Sequence, residues 1–128
     1  MCIAVDFNEM TSSGGLYYSP TYEVDKFIHA TADPQFLLEA GNHFYLQSKG
    51  DWVCLKLDVS KLPAGSVIYE APAPVGAIEA VVYQKEHNME DQPKFPHIYA
   101  GIGKDAVVQE FKIVRDEEGA FLSIEGMC

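Results

Sequence analysis

Arginine is almost missing from this chain. Of nine basic residues among 128, only Arg115 is an arginine, against nineteen acidic ones, and the formal net charge is −10. Phosphate neutralisation needs clustered Lys and Arg, so the balance excludes nucleic acid as a partner. It excludes an anionic membrane surface for the same reason. Cysteine is also sparse: Cys2, Cys54 and Cys128 are odd in number, widely spread and without a C-x-x-C pair. That rules out a zinc knuckle, a thioredoxin-like motif and a disulfide framework, and reads as an intracellular, reducing, cytoplasmic setting. No apolar run approaches the roughly 18 residues of a membrane span. The N-terminus lacks the basic start and long apolar stretch of a signal peptide. There is no G-x-S-x-G, no H-E-x-x-H and no phosphate loop, and Gly101-Ile102-Gly103-Lys104 reads as a turn.

What is present is the material of one folded domain over residues 1–128. The hydrophobic fraction is 48%, with seven Phe and seven Tyr, enough to repay the ordering entropy of one core. Thr11 to Gly15 is the most linker-like stretch, set between a short head and the main pattern. The apolar run from Lys26 to Thr31 predicts a strand. Asp33-Pro34 then predicts a helix start, since Asp can cap free N–H groups and Pro is tolerated in the first turn. Phe36, Leu37, Ala40 and Phe44 recur at helical spacing, with Gly41 and Asn42 weakening the far end.

The second half reads as β-rich. Strands are expected over 52–59, buried mostly on one face, and over 67–70, 80–83, 97–102, 106–114 and 120–124, with turns at 63–66 and 116–119. Residues 84–94 are polar and read as a loop. One or two helices and about six strands make an α+β fold.

Two histidines stand inside apolar segments: His29 in Phe27-Ile28-His29-Ala30-Thr31, and His97 in Phe95-Pro96-His97-Ile98-Tyr99. An imidazole buried without partners is costly, so each calls for a hydrogen-bond partner or a ligand. Glu70 ends an apolar strand before a proline turn, where it could orient a histidine or bond sugar hydroxyls. Each also has a plainer reading, as a satisfied core histidine or a strand-end carboxylate in water. Thr31 shares a strand face with His29 or serves as a helix-start hydroxyl. Tyr22, Tyr69 and Tyr99 are candidates to stack on a planar ligand, or simply to pack. His43 and His87 look ordinary. Cys54 lies in an apolar run, which suits a buried, inert thiol.

Several of these pieces together resemble one family. Asp25-Lys26-Phe27-Ile28-His29-Ala30-Thr31 with Gln35 is similar to the D-G-F-I-H-x-S/T-x-x-x-Q segment of the domain of unknown function 952 family. Trp52 to Asp58, then Glu70, then Phe95-Pro96-His97-Ile98-Tyr99 resemble its later segments in the same order. The resemblance runs from about residue 15 to 114 and implies an ADP-ribosyltransferase-like fold, a small split β-structure around a dinucleotide cleft. By the same resemblance, His29, Glu70 and His97 form a catalytic set, and Thr31, Gln35, Tyr22 and Tyr99 hold an NAD-like nucleotide. Lys26 stands where the family usually has glycine. The family's opening strand is not legible in residues 1–14, which read as a shortened or atypical head. Three functional readings stay open: binding or processing of a nucleotide-ribose ligand; a non-enzymatic interaction or structural domain; and a metal-dependent enzyme using His29, His97 and Glu70.

Overall fold

The computed structural model describes residues 2–81 and 93–126. Its strands form two antiparallel sheets. The first, in the order β1-β3-β6-β7, contains β1 (Cys2–Ile3), β3 (Trp52–Leu57), β6 (Val107–Arg115) and β7 (Phe121–Ile124). The second, in the order β2-β5-β4, contains β2 (Ile28–His29), β5 (Phe95–Ile98) and β4 (Val67–Glu70). The helices are α1 (Ala4–Thr11), α2 (Tyr22–Asp25) and α3 (Leu37–Phe44). The α+β architecture expected from the sequence is therefore the one found.

Strand β3 is buried mostly on one face, as expected, and its other face is partly covered as well. Its Trp52 and Cys54 enter a cluster with Leu37, Phe111, Ile113 and Phe121. Its Val53, Leu55 and Leu57 pack against a second cluster built on Phe7, Tyr17, Ile28 and Ile98. Alternation thus places each face against a separate core. Burial pushes the Cys54 thiol pKa up, in keeping with an inert thiol.

The helical segment begins at Asp33-Pro34 as the sequence indicates, but as a 3₁₀ turn over Pro34–Phe36; α3 itself starts at Leu37. Asp33 Oδ1 accepts from the backbone N–H of Gln35 at 3.1 Å, over a short 3₁₀ turn that leads into the helix. Gly41 and Asn42 do more than weaken its end. A Cβ on Gly41 would lie 2.7 Å from the Phe121 ring, so glycine sets how closely helix and sheet approach. Asn42 exchanges hydrogen bonds with both backbone groups of Phe121, at 3.0 and 2.6 Å.

The remaining expectations divide. Val67–Glu70 is a strand as read. The 116–119 turn is closed by Gly119 N–H to Asp116 O at 3.1 Å. The 26–31 strand contracts to Ile28–His29, because a helical turn occupies 22–25 and Lys26 takes a left-handed conformation, φ 70°. The 97–102 strand shifts back to 95–98. Ala80 and Val81 are not in a strand, while Val82, Tyr83, His87 and the loop as far as Gln92 lie outside the described residues. The head is structured: β1 pairs with β3, and Phe7 of α1 is core.

Arg115 is engaged structurally. Its guanidinium donates to the carbonyls of Tyr45, Ser48, Gly50 and Gly119 and lies 4.5 Å over the Phe121 ring. It fastens the loop after α3 to the β6–β7 hairpin.

Candidate functional site

Antiparallel pairing of β2 and β5 sets His29 directly opposite His97. Cross-strand partners project to the same face of a sheet, and the two ring centroids are 5.5 Å apart. Phe27 completes a triangle: it stacks on His97 at 4.0 Å and 14°, and leans on His29 at 4.6 Å.

Each histidine has its own carboxylate. His29 Nε2 lies 3.1 Å from Asp25 Oδ2, and His97 Nδ1 lies 2.9 Å from Glu70 Oε1. Tyr99 donates its hydroxyl to the same Glu70 oxygen at 2.5 Å. The Tyr99 and His97 hydrogen bonds hold the Glu70 carboxyl below its ordinary pKa, and the bond to Glu70 raises that of the Tyr99 phenol.

Asp25 is more enclosed. Burial alone would raise its pKa, but hydrogen bonds from Thr21 Oγ1 (2.7 Å), the Gly76 N–H (3.0 Å) and His29 outweigh that and hold it low. An ionised Asp25 can only accept, so His29 carries its proton on Nε2 and keeps the Nδ1 lone pair free. Burial lowers the His29 pKa; Asp25 offsets part of that, and the nearby His97 adds to it. His29 is thus a neutral imidazole near neutral pH, with an acceptor nitrogen that has no partner among the described residues. That nitrogen can accept a hydrogen bond or a proton.

His29 borders three cavities. The largest, of about 590 Å³, lies between the two sheets and is also lined by Thr31, Lys56 and Tyr69. One of about 50 Å³ separates His29 and His97 from α3. A third, of about 320 Å³, lies against Trp52.

The expected site residues are partly gathered. His29, Glu70, His97 and Tyr99 converge, and Thr31 borders the large cleft. Gln35 is turned away, bonding Asp33 Oδ2 at 2.8 Å through its Nε2. Tyr22 packs edge-on against Tyr18 at 4.9 Å, beside the first core. Among the described residues no three His, Cys, Asp or Glu side chains are grouped to hold a metal ion. The residues not foreseen are Asp25, Thr21, Gly76 and, as a ring spacer, Phe27. A signal for Asp25 was available: it is an acid four residues before a histidine embedded in an apolar run.

The fold and site define a small two-sheet α+β domain with facing histidine–carboxylate pairs. The chain belongs to the protein family of unknown function DUF952, whose sequence profile matches residues 1–110 and so takes in the opening strand and helix. Its structure is similar to the crystal structure of protein CC0527 from Caulobacter crescentus. The TM-score is 0.67 at 17% identity, over 94% of this chain and 89% of that one. A double mutant of CC0527 aligns over the same shares at 16% identity, with the same TM-score. No curated protein matches the chain. Among the described residues no helix is long and apolar enough to cross a membrane.

Proposed function

We propose that the domain binds a nucleotide-ribose compound, such as ADP-ribose or NAD, with His29 as the contact residue. The observation that carries this reading is the convergence of the two histidine–carboxylate pairs, with His29 itself on the wall of the 590 Å³ cleft. That volume suits a small-molecule ligand. His29 accepts from a ribose hydroxyl through Nδ1, with Asp25 fixing its tautomer. His97 and Glu70 act through the ring triangle as positioning residues. Lys56 supplies a cation at the cleft, and the exposed ring of Tyr69 supplies a stacking surface. The ADP-ribosyltransferase-like fold that the family resemblance implies favours this ligand class. A cytoplasmic setting goes with it, since Cys54 is a free, buried thiol.

Titration calorimetry with NAD, ADP-ribose and AMP tests the reading. Saturable heat with at least one of them, abolished in His29→Ala, is the expected result. Heat from none of them, in wild type and variant alike, would sink it.

One observation favours a second reading, a structural or interaction domain without activity. Each histidine already bonds a carboxylate through one ring nitrogen, and only about 50 Å³ lies open beside His97. Under that reading His29→Ala and His97→Ala each cost stability, on the order of 1–3 kcal/mol, and no ligand gives heat.

A further inference from the structure

The inter-sheet cleft is set apart electrostatically from the rest of a chain whose net charge is −10. Among the described residues its wall carries one Lys, Lys56, and no Arg, Asp or Glu. The bordering imidazole of His29 is neutral near neutral pH. Lys56 is exposed on β3, and the register of β3 on β6 sets it opposite Gln109, which also lines the cleft. Among the described residues neither side chain makes a hydrogen bond or an ion pair. The next carboxylate along the strand, Asp58, is taken up by the turn that follows. It accepts from the Ser60 N–H at 3.0 Å and from the Ser60 hydroxyl at 2.7 Å. Lys56 and Gln109 therefore offer free donors side by side, one of them charged, within reach of solvent. Elsewhere the wall is largely apolar, with Leu57, Val67 and Ile98 among its residues.

We infer that, within the nucleotide-ribose class and resting on that reading, the cleft selects ligands with a single phosphate, the nucleoside monophosphates, over diphosphate-bridged ones such as ADP-ribose. Lys56 is the residue that makes the selection. Its ammonium and the Gln109 amide donate to the oxygens of one phosphate. A second phosphate finds no further cation among the described lining residues. It gives up hydration against an apolar wall, in the field of a negatively charged protein. A nucleoside without phosphate leaves Lys56 unused.

Calorimetry with adenosine, AMP and ADP-ribose tests this in wild type, Lys56→Gln and Lys112→Gln. Lys112 is exposed on β6 and off the cleft wall, so its variant makes the same change of net charge elsewhere. Wild type should bind AMP about tenfold more tightly than adenosine, and several-fold more tightly than ADP-ribose. Lys56→Gln should bring AMP down to the affinity of adenosine and leave adenosine itself unchanged. Lys112→Gln should bind AMP as wild type does. Should Lys56→Gln unfold, salt decides the matter in wild type: added salt should weaken AMP and leave adenosine unaffected. Heat from none of the three ligands overturns the nucleotide-ribose reading, and this inference with it. ADP-ribose bound as tightly as AMP, equal AMP affinity in folded Lys56→Gln and wild type, or an AMP affinity independent of salt overturns the inference alone.

Discussion

His29 and His97 face one another as cross-strand partners, 5.5 Å between ring centroids, each tied to a different carboxylate. The two pairs are not equivalent. The Asp25 side chain is 5% exposed and that of Glu70 is 39% exposed. Asp25 is therefore an internal orienting group, whereas Glu70 can be reached from solvent.

Replacing Asp25 by Asn keeps the shape and removes acceptor capacity for three donors: Thr21 Oγ1, the Gly76 N–H and His29 Nε2. We expect a loss of about 1–3 kcal/mol of folding stability and a further fall in the His29 pKa. Denaturant melts and histidine NMR titrations measure the two. An Asn variant as stable as wild type would show that the three bonds contribute little.

Stability should decrease on acidification below neutrality. The His29 pKa is lowered on folding, so between its folded value and the ordinary 6.5 the unfolded chain binds more protons than the native one. Stability therefore rises with pH across that window and is lost as pH falls through it. Asp25, also lowered, adds a second loss below its ordinary 3.8, as pH falls toward its folded value. In His29→Gln the first slope should flatten and the second remain. A wild-type melting temperature independent of pH just below 6.5 would contradict this.

Lys26 sits at φ 70°, where a β-carbon costs roughly 1–2 kcal/mol. The family resemblance puts glycine at this position, and the geometry explains why. Lys26→Gly should leave the fold unchanged and raise stability by about 1 kcal/mol, read as a shift of the urea midpoint at constant slope.

Arg115→Ala strips four carbonyls of a charged donor. A loss of about 2–3 kcal/mol is expected, with faster amide exchange over residues 45–50. Arg115→Lys should recover only part of it, because one ammonium cannot span the same carbonyls. Retained stability in the Ala variant would show that the clasp is incidental.

What the sequence made legible follows from local chemistry. Strand β4 is a short apolar run stopped by prolines, the Asp116–Gly119 hairpin carries its turn residues, and Asp33-Pro34 marks the 3₁₀ turn before α3, so they could be read directly. The opening helix could not, because among its residues of described burial only Phe7 and Thr11 are buried, too few for a visible stripe. His29, Glu70 and His97 could be nominated as polar groups in or beside apolar segments. Their pairing depends on the register of β2 on β5, and the Asp25 cradle needs a Gly76 turn 51 residues away. Neither leaves a local trace. Tyr22 is named by residue type and Gln35 by the family motif, and their packing and side-chain contacts take them elsewhere.

The most direct test of the site is a histidine side-chain NMR titration with ADP-ribose. His43 bonds the Glu79 carbonyl at 2.6 Å, away from the ring triangle, and serves as an internal control. The account predicts that the His29 and His97 ring signals move together and saturate while His43 stays fixed, and that the His29 pKa falls further as its Nδ1 accepts from a ligand hydroxyl. Ring signals of His29 and His97 that stay unchanged at saturating ADP-ribose, or that move only in step with His43, would contradict it.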